Sequence, residues 1–306
     1  MLRLGKFCRV AVAGAFALTI LLNTGAASAA ERPDVQPQTK GAFGDVGPET
    51  YQNKAGLDAC TRALTNQSAL SAWWTYSPFY VYGFYLGGVT ATKQGCAHLD
   101  LATFNYGAGL GWAFMPLWYG PQVPQSCGAT VAVDYISLNA TTAYQQGVAE
   151  ANAAYAAARA MNFGANSVIT YDLEAEGHAN ATCKAAAQAF IKGWDYQMQY
   201  NTLYWGGLYG GVSAIFFTDF TPSAITYPPY TIWPWKPCCY TSVYGLTPQL
   251  SDGLWSLDQR YHQLSKPGTR TYGGVSASID EDCADTKVIS SNTLIPTQTN
   301  NNCSNY

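Results

Sequence analysis

Short apolar runs alternate along this chain with longer amphipathic or alanine-rich segments. The apolar and β-branched runs predict strands, and these lie at residues 56–60, 79–86, 112–118, 166–177 and 206–211. The segments between them predict helices, at residues 66–74, 98–106, 141–163 and 181–200. Strands and helices in this order are typical of βα units around a parallel sheet.

The alternation weakens after residue 211. Residues 213–220 predict one short helix, and the remaining apolar runs predict strands alone, at residues 230–235, 253–264 and 274–280. With about eight strands and full helices only in the first half, the pattern predicts an α/β fold. We expect an irregular TIM-like (β/α) barrel whose helices thin after the fifth strand.

The two ends of the chain differ from this pattern. Residues 1–29 combine basic residues, an apolar core and the small residues Ala27-Ser28-Ala29, as a secretory signal peptide does. Residues 30–54 are polar with scattered Pro and Gly and predict a flexible leader, and residues 291–306 predict a polar C-terminal tail. The barrel is therefore assigned to residues 55–290 of a protein that we expect to be exported.

The predicted strand at 166–177 ends in acidic residues. Asp172 and Glu174 are two positions apart, so on a strand they point to the same face. A solvated strand end with a chance cluster of acids is the plain alternative. Burial of two like charges is unfavourable, however, unless a cleft, a partner or an ion receives them.

Two further strands end in acids, Asp58 on the first and Asp280 with Asp282 on the last. In a parallel barrel the carboxyl ends of all strands share one rim, and the first and last strands are neighbours. One pocket could therefore collect these carboxyl groups. Aromatic residues near the same ends would offer flat faces for sugar rings, although each alone is more often a core residue, and they are Tyr85, Trp118, Tyr119, Tyr209, Trp233 and Trp235.

Glycoside cleavage requires such a set of carboxyl groups. One carboxyl holds a proton for the leaving oxygen, and a second one attacks, activates water or stabilises positive charge. We expect Glu174 to be the acid with a raised pKa and Asp172 to stay ionised beside it.

Three alternatives stay open at this point. A carbohydrate-binding barrel without turnover would use the same cleft. A calcium site could draw on Asp58, Asp172, Glu174 and Asp282, although no calcium-loop spacing is found. Ser-His-Asp catalysis is the weakest, because the three histidines come without a G-x-S-x-G elbow.

Charge and cysteine content narrow the class of protein. Removal of the signal peptide leaves 13 basic and 19 acidic residues, a net charge of about −6, which argues against a nucleic-acid partner. Eight cysteines remain after Cys8 is removed, which predicts four disulfides of open connectivity. The sequence predicts no cofactor, no metal site and no membrane span in the exported chain, which we expect to be a monomer.

Seven short segments, in matching order over about residues 55–285, resemble a known family. They are Gly-Leu-Asp-Ala-Cys at 56–60, Tyr-Leu-Gly-Gly at 85–88, Tyr-Asp-Leu-Glu-Ala at 171–175, Leu-Tyr-Gly-Gly at 208–211, Ile-Trp-Pro-Trp at 232–235, His-Gln-Leu at 262–264 and Ser-Ile-Asp-Glu-Asp at 278–282. This series is similar to the glycoside-hydrolase-like domain of unknown function 1906 of exported actinobacterial proteins, a fold relative of the Chalaropsis-type lysozymes.

The resemblance implies a secreted glycoside hydrolase of lysozyme type that acts on a cell-wall polysaccharide or peptidoglycan. It implies that Glu174 is the proton donor and Asp172 its partner, with Asp58 and Asp280 as the acids of the first and last strands. Substrate contacts are then expected from Gln263, Asp282 and the six aromatic residues named above. The chain departs from the family at Pro234, in the loop 121–134 and at Cys238-Cys239.

Overall fold

A single closed sheet organises the molecule in the computed structural model, which describes residues 47–130, 134–174, 180–202, 204–212, 216–236, 242–264 and 267–290. Its strands are β1 (Gly47–Ala59), β2 (Val81–Gly87), β3 (Ala113–Trp118), β4 (Val168–Asp172), β5 (Trp205–Gly211), β6 (Thr231–Trp235), β7 (Gln259–Gln263), β8 (Gly268–Tyr272) and β9 (Val275–Ser290). The helices are α1 (Gln67–Tyr76), α2 (Val89–Gln94), α3 (Leu101–Leu110), α4 (Ala140–Ala160) and α5 (Ala181–Gln197).

The barrel is closed by an antiparallel strand. Strands β1 to β7 are parallel and follow one another in chain order, and β9 then pairs antiparallel with both β7 and β1. Strand β8 forms a hairpin with β9 outside this ring. Eight strands therefore surround the barrel interior, and the prediction of a TIM-like α/β barrel is confirmed.

Helices concentrate in the first half of the chain, as predicted. Asparagine or aspartate caps four of the five helices by accepting a hydrogen bond from a backbone N–H in the first turn. After β5, the helical structure among the described residues is one 3₁₀ turn, Phe217–Phe220. Strands β6 and β7 are therefore joined without a covering α-helix in the described part of the connection.

The outer faces of β2 to β4 pack against the helices through aromatic rings. Phe104 of α3 lies 4.7 Å from Phe114 of β3 between ring centroids, and Tyr171 of β4 lies 4.8 Å from Phe190 of α5. Side chains alternate along a strand, so Leu117, three positions after Phe114, and Asp172, next to Tyr171, face the barrel interior.

Three sequence-based boundaries are corrected by the structure. Strand β1 begins at Gly47, inside the predicted leader, because backbone pairing from Gly47 opposite Ser290 extends it along β9. The predicted strand at 253–264 is confined to β7, since the preceding residues turn with positive φ at Trp255 and Asp258.

The last strand differs more from the prediction. It runs from Val275 to Ser290 and is antiparallel to its neighbours, so its end does not share the rim of the parallel strands. The tail 291–306 lies outside the described residues.

Two disulfides have both partners among the described residues. Cys60 at the end of β1 is bonded to Cys96 after α2, and Cys127 is bonded to Cys183 in the first turn of α5. Cys283 of β9 is also disulfide-bonded. Within the described ranges, no helix is both long and apolar enough to span a bilayer.

Candidate active site

A cavity of about 420 Å³ opens at the carboxyl ends of the parallel strands. Its walls are Asp58, Tyr85, Leu117, Thr130, Asp172, Glu174, Tyr209, Gly211, Trp235, Gln263, Pro267 and Asp280. All four predicted catalytic residues and four of the eight predicted substrate-binding residues therefore line one cavity. The volume falls in the range of pockets that bind small molecules or single units of a polymer.

The other four predicted residues lie outside this lining. Trp118 follows the inward-facing Leu117 and points to α4, where its Nε1 donates to Glu150 at 2.6 Å. Trp233 and Asp282 are fully buried beneath the cavity and are joined by a hydrogen bond of 3.1 Å from the indole Nε1. Tyr119 reaches the site indirectly, through a hydrogen bond to the Glu174 carboxyl.

Asp58 and Asp280 are neighbours because they are paired across two antiparallel strands, not because their strands end at the same rim of the barrel. The two residues are directly paired across β1 and β9. Asp282, two residues further along β9, faces the same side and is hydrogen-bonded to Asp58. The last strand is antiparallel and not parallel as expected, but it still brings Asp280 and Asp282 next to Asp58.

Hydrogen bonds link these acids to the neighbouring strands. Gln263 donates from Nε2 to Asp58 at 3.3 Å and accepts from the Tyr209 hydroxyl at 2.7 Å. The Tyr85 hydroxyl donates to Asp172 at 3.3 Å. A network of fixed donors thus holds the carboxyl groups in place before any substrate binds.

A glycine on β2, Gly83, leaves room for the side chains of Asp58 and Trp233. A Cβ atom at Gly83 would lie 2.7 Å from Cβ of Asp58 and 2.6 Å from the Trp233 ring. Both distances are too short for non-bonded carbon atoms, so a larger residue at 83 would displace one of the two. The first-strand acid therefore depends on a glycine in the adjacent strand.

Burial raises the pKa of the carboxyl groups in this cavity. For Asp58 the pKa rises to about 7, chiefly because the side chain is buried. A hydrogen bond from Asp282 lowers this pKa, and the negative charge of Glu174 has a smaller, raising effect. For Asp280 the pKa rises to about 8, from burial and then from the charge of Asp58. Asp282 has its pKa raised well above the usual range by burial, so it is the proton donor in its contact with Asp58.

Asp172 and Glu174 correct the expected division of roles. The pKa of Glu174 is raised by burial of its carboxyl, against the hydrogen bond from Tyr119, as predicted in direction. The pKa of Asp172 is raised well above the usual range, first by burial and then by the charge of Glu174. Burial of this almost completely buried carboxyl therefore favours its protonated form, which runs against the expectation that Asp172 stays ionised beside Glu174.

The local backbone explains why the two acids differ. Strand β4 ends at Asp172, and Glu174 lies beyond it, so strand alternation does not set its direction. Glu174 is exposed at the cavity mouth, whereas Asp172 is at the bottom of the wall. Of the two, Glu174 is the residue that a polymeric substrate can reach.

Gln122 is a site residue that the sequence analysis missed. Its Nε2 donates to the carbonyl of Asp172 at 2.7 Å, and its Oε1 accepts from the backbone N–H of Glu174 at 3.0 Å. This fully buried side chain fixes the backbone between the two acids. It belongs to the loop 121–134, and no pattern in that Pro- and Gly-containing stretch signals a buried amide.

The raised pKa values predict that the protein loses stability as the pH rises. In the unfolded chain these aspartates ionise near the ordinary aspartate pKa of 3.8, but in the folded protein the pKa is about 7 for Asp58 and about 8 for Asp280. Between these limits the folded state binds more protons, so the free energy of unfolding falls with increasing pH. We expect the melting temperature to fall by several degrees from pH 5 to pH 8.

Asp58→Asn and Asp280→Asn variants should each flatten this dependence, because neither amide can ionise. Asp134→Asn, at an exposed residue that pairs with Lys93 on the surface, is the control and should keep the full dependence. A melting temperature that rises from pH 5 to pH 8 in the unmodified protein would contradict the protonated cavity.

Among the described residues, no group of three or more His, Cys, Asp or Glu side chains is arranged to hold a metal ion.

His262 lies in β7, and burial lowers its pKa to about 4. A hydrogen bond joins its Nδ1 to the Ser242 carbonyl oxygen at 2.8 Å. The described residues therefore place a neutral histidine in the wall of the barrel rather than a catalytic one in the cavity.

A closed α/β barrel with four carboxyl groups around one cavity defines the class of protein as a TIM-like barrel with an acidic cavity. The chain belongs to the family of Rv2525c-like, glycoside hydrolase-like domains, whose model matches residues 71–284. No protein of curated function matches the sequence.

The solved structures that resemble this one are distant from it in sequence. The Tat-secreted protein Rv2525c of Mycobacterium tuberculosis, in complex with L-tartrate, is 13% identical, with a TM-score of 0.50 over 76% of this chain and 95% of that one. An uncharacterized protein of B. stearothermophilus is 16% identical, with a TM-score of 0.48 over 76% of this chain and 96% of that one. The catalytic domain of endolysin ply40, from bacteriophage P40 of Listeria monocytogenes, is 14% identical, with a TM-score of 0.44 over 77% of this chain and 95% of that one.

Proposed function

We propose that this protein is an exported hydrolase of O-glycosidic bonds that acts on a cell-wall polysaccharide or peptidoglycan. The observation that carries the proposal is the set of four carboxyl groups with raised pKa values that line one cavity. Glycosidases use such crowding to keep one carboxyl protonated at the pH at which another is ionised. Membership in a glycoside hydrolase-like family supports the same reaction class.

Glu174 is the proton donor in this proposal. The residue as a whole is exposed at the cavity mouth, but its carboxyl group is hydrogen-bonded to Tyr119 and largely surrounded by protein, and this burial of the carboxyl raises its pKa. A raised pKa lets a carboxyl group hold its proton at mildly acidic or neutral pH until the glycosidic oxygen accepts it. The hydrogen bond from Tyr119 orients this carboxyl.

Asp58 is the acid that we assign to the ionised role. Of the two aspartates with a defined value, it has the lower pKa, about 7, and protonation of Glu174 removes the negative charge that helps to raise this value. Asp58 also accepts a hydrogen bond from Asp282, which favours its ionised form. As a carboxylate it would stabilise the positive charge that develops on the sugar, or activate water. Asp172 and Asp280, protonated, would donate hydrogen bonds to sugar hydroxyl groups.

Sugar binding in this cavity rests on Tyr85, Tyr209, Trp235 and Gln263. Tyr209 and Gln263 are already hydrogen-bonded to each other, so neither must be ordered when substrate binds. The aromatic rings supply apolar faces for the C–H surfaces of a pyranose. We infer that the protein works outside the cytoplasm, since disulfides persist in oxidising compartments.

A carbohydrate-binding barrel without turnover is the second candidate. The specific observation in its favour is that burial raises the pKa of every carboxyl group lining the cavity, which leaves few ionised partners for catalysis. Such a protein would hold the glycan by hydrogen bonds from neutral acids.

The release of new reducing ends separates the two functions. The protein is incubated with purified peptidoglycan and with a panel of wall polysaccharides between pH 4 and pH 8, and reducing ends are measured over time. A hydrolase releases them in proportion to protein concentration. Saturable binding of the same polymers without any release would instead establish the binding barrel.

A further inference from the structure

A second cavity, of about 410 Å³, lies at the opposite end of the barrel. Trp205 is the first residue of β5, Tyr230 directly precedes β6, and Gln259 is the first residue of β7, and all three line it. Parallel strands start at one rim and end at the other, so this cavity faces away from the acidic one. No residue is shared between the two linings.

The walls of the second cavity are rich in aromatic rings, contributed by Tyr200, Trp205, Tyr227, Tyr230 and Trp255. The rings form contacting pairs: Trp205 and Tyr230 have centroids 4.6 Å apart, and Tyr200 and Tyr227 have centroids 5.3 Å apart. Tyr196 stacks on Tyr200 at 5.6 Å and braces it from α5. Tyr200 is 58% exposed, so its ring is available to a ligand at this open surface.

Polar groups and charge narrow the ligand further. The amides of Gln199 and Gln259 lie in the lining, and the described lining contains no carboxyl group. Next to it, the Lys287 ammonium lies 4.8 Å from the Tyr230 ring centroid and 5.7 Å from that of Trp205. A positive charge already beside the rings disfavours a cationic ligand such as a quaternary ammonium or a basic peptide.

We propose that this second cavity is a non-catalytic glycan-binding site that takes a neutral or anionic sugar unit of a polysaccharide. The aromatic rings would cover the apolar faces of the sugar, and the two glutamine amides would bind its hydroxyl or acetamido groups. The choice of a wall polysaccharide as the polymer rests on the proposed function, whereas the binding site is inferred from the cavity lining alone. Since it faces away from the acidic cavity, it would hold the protein on an insoluble polymer while a different stretch of chain occupies the other cavity.

The test measures binding apart from turnover. Full-length protein with Glu174→Gln is sedimented with insoluble peptidoglycan sacculi, with and without the additional changes Tyr200→Ala and Tyr227→Ala. The matched control is Tyr76→Ala, which removes a tyrosine of similar exposure from α1. Loss of two aromatic contacts should weaken binding about tenfold in the double tyrosine variant and leave the control unchanged.

Competition identifies which part of the sacculus is recognised. Chitotetraose, a soluble oligosaccharide of N-acetylglucosamine, competes with the sacculi for the protein. It should release the protein that keeps Tyr200 and Tyr227 from the sacculi more effectively than it releases the double variant. Displacement only by the peptide part of the sacculus would overturn the assignment to glycan. Equal binding by the double variant and by the Tyr76→Ala control would also overturn it.

Turnover distinguishes failure of this site from failure of the proposed function. In the chain that keeps Glu174, the two tyrosine changes should leave the hydrolysis rate on short soluble fragments unchanged and lower it on insoluble sacculi. If no substrate is hydrolysed but the tyrosine changes still weaken binding, the glycan site stands and the enzyme proposal fails.

Discussion

Glu174→Gln lowers the rate of glycan hydrolysis by about 10²–10⁴-fold, the usual contribution of a general acid. The amide cannot donate a proton to the leaving oxygen, but it keeps the size of the side chain and can still contact Tyr119. Because the residue is exposed, the fold and the affinity for the polymer should change little. Reducing-end release, measured beside polymer sedimentation, separates the two effects.

Asp134→Asn is the matched control for this change, since it makes the same carboxyl-to-amide substitution at an exposed surface residue. Its hydrolysis rate should equal that of the unmodified protein, because exposed ion pairs contribute little. Equal loss of activity in both variants would point to a general charge effect, and full activity of Glu174→Gln would remove Glu174 from the role of acid.

Removal of the Cys127–Cys183 disulfide, by alanine at both positions, lowers the free energy of unfolding by about 4 kcal/mol. The bond closes a loop of 56 residues, and the loss of chain entropy in the unfolded state accounts for a stabilisation of this order. Urea unfolding of the double variant measures the change.

Removal of the Cys60–Cys96 disulfide is the internal comparison. Its loop of 36 residues predicts a similar loss, again about 4 kcal/mol. Activity should separate the two variants, because Cys127 lies in the same connection as Gln122 and Thr130, which contact the acids or line the cavity. The Cys127–Cys183 variant should therefore lose more activity at a temperature at which both are folded. Identical activity in the two variants would show that this disulfide stabilises the fold without positioning the site.

The order of the elements could be predicted because it depends on local signals. Alanine-rich and asparagine-capped segments formed α4 and α5, and the aromatic and β-branched run ending at Gly87 formed β2. The predicted strand boundaries were wrong where backbone pairing with another strand, and not a side-chain pattern, extends a strand. Strand β1 is extended in this way from Gly47 by its pairing with β9. Backbone pairing adds hydrogen bonds without requiring apolar residues, so the sequence of residues 47–54 does not signal it.

The site was predictable as a set of residues but not as an arrangement. Acids at strand ends were found from the sequence, and Asp58, Asp172, Glu174 and Asp280 all line the cavity. Trp118 was placed in the site because it ends a strand, yet its side chain faces α4. Gln122 was missed because the loop that brings it to Glu174 has no periodic pattern.

The sequence by itself determined the α/β barrel, the thinning of its helices and the residues that could supply acid chemistry, since these follow from periodicity and residue type along the chain. Only the tertiary structure decided that the last strand is antiparallel and that Asp280 is paired with Asp58. It also decided how the pKa of each carboxyl is shifted, because this pKa depends on how far the fold removes the group from water. Asp172 and Glu174, two positions apart in the sequence, differ for that reason: one is buried in the wall and the other lies at the mouth.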